Sequence, residues 1–247
     1  MVNLRRLMFL RPAFLATQSV LKRLGIQLTY TRVSGIPDAD LYSPLFEPWR
    51  SESWRSTLRD DDQRTLVPLQ ARYLLYMLAE DATRRCQGDL AECGVYKGGT
   101  AHLLASLARS AGRTISLFDT FAGMPQTDPD KDLHREGDFA DTSLDSVRAY
   151  LGEFQNAEFF PGHIPATLNA VSSRTFCFVH IDLDIYNAII AATSFFYERL
   201  PKDGVLLYDD YGYPSCPGAR QAVDEFFSTK PETPQVMGTG QCVVRKL

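Results

Sequence analysis

Acidic residues gather at two points where the chain has just been strongly apolar. The run TFCFVHIDLD (175–184) carries no acid until Asp182 and Asp184, and GVLLYDD (204–210) closes on Asp209 and Asp210. Both runs read as strands buried on two faces, so their acids fall at strand ends. Asp182 and Asp184 are two residues apart and point the same way if the strand stays extended. Four carboxylates on one rim repel each other and disturb each other's protonation. A hard divalent cation offsets them, and an all-oxygen donor set suits Mg²⁺ before Zn²⁺. The alternative reading is four solvated turn aspartates.

A second cluster is built from glycine. Glu92-Cys93-Gly94-Val95-Tyr96-Lys97-Gly98-Gly99-Thr100 links a strand-like run (89–95) to a helical one (100–111). Glycine lets a ligand approach the backbone, and a helix N-terminus offers free N–H groups. The turn is neither G-x-G-x-x-G nor a Walker loop. Asp119 follows Gly99 by 20 residues and ends the next strand-like run, TISLFDT (114–120). An acid there is placed to accept from a ribose diol, or is a plain turn or cap residue. Glycine turn and acid together favour a ribose-containing cofactor.

These residues need a scaffold, and the pattern supplies one. Strand-like runs also occur at 157–162. Helical periodicity appears at 66–85, 143–154 (capped by Thr142 or Ser143), 186–200 and 218–230. Alternation of this kind predicts an α/β fold with a parallel sheet and helices on both faces. The tail VMGTGQCVVRK reads as a hairpin turning at Gly238 and Gly240, which adds an antiparallel edge. Ligands in such sheets bind beyond the carboxyl ends of the strands, where the glycines and acids lie.

The whole chain has 247 residues, 45% of them hydrophobic and 23% charged, with a net charge of −4. This excludes collagenous, low-complexity and wholly disordered classes. A mildly acidic chain is not a general nucleic-acid binder. No apolar run reaches transmembrane length, so no stable membrane insertion is expected. The N-terminus, MVNLRRLMFLRPAFLATQSVLKRLG, is interrupted by Arg11 and Pro12 and so is read as an amphipathic helix rather than a secretory signal. Residues 34–64 form an irregular connection anchored by Trp49 and Trp54. The chain therefore divides into an N-terminal extension (1–64), serving as lid, acceptor wall or oligomer contact, and a catalytic domain (65–247). The five cysteines form no C-x-x-C pair, and they show no zinc-ligand spacing with the four histidines. Buried packing and a reducing, cytoplasmic setting are expected.

In order and spacing, ECGVYKGGTA, LFDTFAGMP, HIDLDIY and GVLLYDDYG resemble the macrocin O-methyltransferase (TylF-type) family across roughly residues 62–230. The resemblance implies a Rossmann-like class I methyltransferase with a seven-stranded sheet. It implies S-adenosylmethionine as cofactor, Mg²⁺ as metal, and a small glycoside or diol acceptor, often an antibiotic sugar. It also implies a homodimer or larger homo-oligomer. By position, Glu92, Cys93, Gly94, Val95, Tyr96, Gly98, Gly99 and Thr100 would line the methionine part of the cofactor, and Asp182 would also touch the cofactor. Asp119, with Thr120 and Phe121, would hold the ribose. Ser143, Gly162 and His163 would lie near the adenine. Asp182, Asp209 and Asp210 would bind the metal, and Asp184 would be the general base.

His180 and His163 compete for the base role, though a strand histidine is more simply a core group. Tyr186 and Tyr211 flank the acids. Rival functions are a nicotinamide-dependent oxidoreductase, a catechol-type or surface-polysaccharide methyltransferase, and a catalytically silent scaffold of the same fold.

Overall fold

Five short runs, four of them rich in aromatic and branched residues, build the parallel centre of the sheet. They are β1 (Asp89–Cys93), β2 (Ile115–Asp119), β3 (Ala157–Pro161), β4 (Phe176–Ile181) and β5 (Val205–Tyr208). Two further strands, β6 (Gln235–Val236) and β7 (Cys242–Arg245), complete the order β3-β2-β1-β4-β5-β7-β6. β7 runs antiparallel to both β5 and β6. The expected C-terminal hairpin is present, but β7 enters the sheet beside β5 and leaves the two-residue β6 as the edge. The apolar sequence of β7, CVVR, suits that interior place, since its first three residues are buried.

This computed structural model describes residues 47–58 and 62–247. The expected N-terminal amphipathic helix lies outside the described residues. Helices α1 (Glu52–Arg55), α2 (Leu69–Arg85), α3 (Gly99–Ser110), α4 (Leu144–Tyr150), α5 (Tyr186–Tyr197) and α6 (Pro217–Phe227) flank the sheet. Period-two alternation sends Leu90, Ile115, Leu117 and Leu207 to one face, against Leu75 of α2 and Leu104 of α3. Ala91, Phe118, Val179 and Leu206 face the other side, against Ile189 and Phe196 of α5 and Val223 of α6. Trp54 of α1 sits edge-on to Tyr73 and Tyr76 of α2, with ring centroids 5.1 and 5.3 Å away. Among the described residues, no helix is long and apolar enough to cross a membrane.

The strand order reverses at β1, whose neighbours are β2 and β4. Gly94 lies at the end of β1, with φ of +88°. A Cβ there would stand 1.7 Å from the Asp182 carbonyl oxygen. Gly94→Ala is expected to cost about 2–5 kcal/mol, from left-handed strain plus overpacking against backbone. Urea unfolding measures this, and an unchanged midpoint would contradict it.

The segment between β2 and α4 is pinned across the strand ends. Asp132 is buried, and its Oδ1 accepts from the Tyr186 N–H at 2.9 Å, capping α5 from a distance. Gly218 allows this, because a Cβ there would meet that oxygen at 2.2 Å. Thr142 donates to the Tyr96 carbonyl, and Asp141 accepts from Tyr96 Oη and Lys97 Nζ.

Candidate active site

A cavity of about 410 Å³ opens at the carboxyl ends of the parallel strands. The turns after β1 and β2, the segment 123–142 and the acids after β4 and β5 line it together. This is the place where doubly wound sheets bind ligands.

Gly94, Val95, Tyr96 and Thr100 form part of the wall. Gly98, with φ of +89°, is the N-cap of α3. Its α-carbon faces Val147 and Tyr150, and that of Gly99 faces Arg64 and Thr65, so both serve packing behind the wall. Asp119 ties the two turns together. Its Oδ2 accepts from the N–H groups of Val95 and Tyr96 at 2.6 and 2.9 Å, and its Oδ1 from that of Phe121 at 2.6 Å. The turn-aspartate role is thus real. Thr120 Oγ1 stands 3.4 Å from Oδ1, but its one proton is better placed on the Gly123 carbonyl at 2.6 Å, so Oδ1 retains capacity for one further donor.

Thr120, Gly162 and His163 also lie on the wall. Phe121 does not: it is buried in the core beside Phe159, with ring centroids 6.3 Å apart. Ser143 is exposed, and its hydroxyl accepts from the Ser146 N–H as the N-cap of α4. Thr142, one residue earlier, lines the cavity in its place.

Glu92 and Cys93 are fully buried behind the wall. Glu92 Oε1 lies 2.9 Å from His180 Nδ1, while Oε2 has no hydrogen-bond partner among the described residues. His180 Nε2 stands 3.6 Å from Asp209 Oδ1, an ion-pair distance. Burial opposes charge on this imidazole, but Asp209 and Glu92 outweigh it and hold its pKa at about 9. His180 is therefore a fully buried group placed between Glu92 and Asp209.

Asp182, Asp209 and Asp210 bring carboxylate oxygens within 4.8 Å of one another. Asp209 is fixed by the Gln241 side-chain amide at 2.7 Å. Asp210 Oδ2 accepts from the Asp184 N–H at 2.8 Å. Burial and then the neighbouring carboxylates push Asp182 and Asp210 well above the ordinary carboxylate range. Converging hard oxygens that repel one another fit a divalent cation such as Mg²⁺. Cation binding is then expected to expel protons, so affinity rises with pH. Calorimetry with Mg²⁺ in two buffers of different ionisation enthalpy reads this, and equal heats would refute it.

One expectation needs correction. β4 ends at Ile181, and Asp184 has φ of +61°, so the strand does not remain extended through the second acid. Asp182 and Asp184 do not share a strand face. The Asp210 carboxylate captures the Asp184 N–H and turns the chain, and aspartate tolerates the left-handed region better than most residues. Asp184 still reaches the cavity. Burial raises its pKa, and His134 partly counters this.

Sequence reasoning missed His134 and Cys216, which flank Asp184. His134 Nε2 stands 3.6 Å from Asp184 Oδ1, and the Cys216 thiol donates to the same oxygen at 3.5 Å. His134 and Cys216 are 82 residues apart, and no spacing rule links a loop to a helix N-cap. The only available signal was the polarity of HREGD (134–138) in an otherwise uncharacterised connection.

Comparison with known proteins places this geometry in context. The family described as macrocin O-methyltransferase (TylF) matches residues 72–237. Demethyldecarbamoylnovobiocin O-methyltransferase of Streptomyces niveus is 25% identical over 198 residues, covering 72% of this chain and 75% of that one. The 8-demethyl-8-(2,3-dimethoxy-alpha-L-rhamnosyl)-tetracenomycin-C 4'-O-methyltransferase of Streptomyces olivaceus is 26% identical over 170 residues, covering 62% of this chain and 64% of that one. The chain thus matches slightly less than two thirds of that relative's length. The solved O-methyltransferase NovP superposes with a TM-score of 0.66 at 23% identity, covering 74% of this chain and 82% of that one. That likeness is one of fold.

Proposed function

This chain belongs to the macrocin O-methyltransferase (TylF) family and is an O-methyltransferase by that membership, and we propose that it methylates a sugar hydroxyl of a natural-product glycoside. The reading includes S-adenosylmethionine as methyl donor and Mg²⁺ as metal. One observation carries it: a single cavity is lined by the glycine turn, by Asp119 and by the four aspartates together. The tetracenomycin relative, named for a rhamnosyl 4'-O-methyl transfer, favours a sugar hydroxyl over a catechol. The same reading includes a cytoplasmic homodimer or larger homo-oligomer with no nucleic-acid partner and no stable membrane insertion.

When bound, the sulfonium supplies an electrophilic methyl group and the cation polarises the acceptor hydroxyl. The wall Gly94–Tyr96 and Thr100 hold the methionine part, and the spare capacity of Asp119 Oδ1 takes a ribose hydroxyl. Asp182, Asp209 and Asp210 would hold the cation. Asp184 would accept the acceptor's proton. The donor's sulfur would keep the electron pair of the S–C bond and leave as a neutral thioether. The raised pKa of Asp184 suits a base working near neutral pH. Fixing the two reactants in one cavity supplies the alignment term.

The test is incubation with S-adenosylmethionine carrying a labelled methyl group, Mg²⁺ and a panel of rhamnosylated polyketide and aminocoumarin glycosides. Label in a sugar methoxyl is the expected result. Label only in a catechol control would overturn the sugar assignment. No binding of S-adenosylmethionine by calorimetry, with or without Mg²⁺, would overturn the enzyme reading in favour of a scaffold.

A further inference from the structure

Three different donor atoms converge beside the aspartate triad. His134 Nε2, Asp184 Oδ1 and Cys216 Sγ lie within 4.8 Å of one another, and the separations are 3.6 Å (N to O), 3.6 Å (N to S) and 3.5 Å (S to O). They come from the segment after β2, the turn after β4 and the N-cap of α6. All three residues line the cavity.

We infer that His134, Asp184 and Cys216 form a second metal site, selective for a borderline-soft divalent ion such as Zn²⁺, whose occupation blocks methyl transfer. Tetrahedral Zn²⁺ binds sulfur at about 2.3 Å and nitrogen or oxygen at about 2.0–2.2 Å, which sets donor-to-donor edges of roughly 3.3–3.6 Å. The three separations match those edges without movement of the backbone. Three protein ligands leave the fourth position open to the cavity for water.

The histidine is already oriented for the task. Its other nitrogen, Nδ1, lies 3.2 Å from Asp138 Oδ2, and that oxygen is itself held by the Arg135 N–H at 3.0 Å. A carboxylate on the far nitrogen fixes the tautomer that leaves Nε2 free to ligate, the usual support behind zinc-bound histidine. Sulfur and imidazole favour Zn²⁺, whereas the all-oxygen triad favours Mg²⁺, so the two sites differ in metal. Binding replaces the Cys216 S–H bond with an S–Zn bond and releases that proton to solvent.

Inhibition rests on the reading of Asp184 as the base. A zinc-bound Asp184 Oδ1 no longer accepts a proton from the acceptor, and the ion also ties the segment 123–142 across the cavity.

Co²⁺ serves as the spectroscopic probe, added to full-length protein in excess Mg²⁺. A thiolate-to-cobalt charge-transfer band is expected, displaced by one equivalent of Zn²⁺. The oxygen-only triad cannot produce that band. Cys216→Ser should abolish it. Asp138→Ala, at a half-buried residue, should weaken Zn²⁺ affinity by about 10–100-fold in competition with a chromophoric chelator. Zn²⁺ should inhibit methyl transfer in the presence of Mg²⁺, with the inhibitory concentration rising in Asp138→Ala in step with the affinity. No band in the wild type, or a band that persists in Cys216→Ser, would overturn the site. Zn²⁺ binding without inhibition would overturn the regulatory consequence. Failure of Asp184 as base shows separately, as undiminished turnover of Asp184→Asn without Zn²⁺, and leaves the cobalt band of the wild-type protein untouched.

Discussion

Asp184→Asn is expected to lower kcat by about 10²–10⁴-fold, the usual worth of a positioned general base. That loss corresponds to roughly 3–5 kcal/mol of transition-state stabilisation. Affinity for S-adenosylmethionine should change little, because the bonds that hold the glycine turn and Asp119 in place do not involve Asp184. Asparagine is the right replacement at this position. It tolerates the φ of +61° that alanine would adopt only with strain, and it keeps an acceptor for the Cys216 thiol at 3.5 Å. A fall in turnover then reports the lost proton acceptor, not a displaced turn. Single-turnover kinetics with calorimetric cofactor binding separates the two effects. Undiminished turnover would take the base role from Asp184 and give it to His134, which stands 3.6 Å away.

Residues with local causes were legible in the sequence. β4 is buried at all six positions, and its unbroken apolar run says so directly. The glycine turn, the acid at the end of β2 and the acids after β4 and β5 follow from strand alternation, because the topology sends every parallel strand's carboxyl end to one rim. Ser143 is legible as a helix cap, and its hydroxyl caps α4. Glu92 and Cys93, expected at the wall, are buried behind it. Period-two alternation alone could have shown this for Cys93, whose neighbour Ala91 shares its face.

What the sequence hid depends on contacts between distant segments. Asp132 caps α5 across 54 residues, and Gln241 fixes Asp209 across 32. The turn at Asp184 arises because Asp210 offers an acceptor, a fact set by the register of β4 against β5. The pairing of His134 with Cys216 is of the same kind. Helical and strand periods describe a chain's local repeat. They carry no information on which loop crosses which strand end.

Removing the metal is the second large perturbation. Chelation with EDTA should lower turnover by about 10²–10⁴-fold, since Lewis-acid polarisation is worth several kcal/mol. Added Mg²⁺ should restore it. Asp210→Asn should reproduce the loss without restoration at ordinary Mg²⁺ concentrations. Stability gives an independent reading of the same site. Burial and then the neighbouring carboxylates raise Asp182 and Asp210 in the folded chain. A group whose folded pKa is raised contributes stability below its unfolded pKa and loses it as pH climbs through the folded value. The metal-free protein should therefore lose stability with rising pH, while the Mg²⁺-loaded protein is spared because the cation offsets the charges. At 100 times its Kd, Mg²⁺ should add about 2.7 kcal/mol, or about 5–10 °C in Tm. That gap should widen from about pH 5 to about pH 8. A gap independent of pH would mean that these carboxylates titrate at ordinary values, and full turnover after chelation would remove the metal from the reaction.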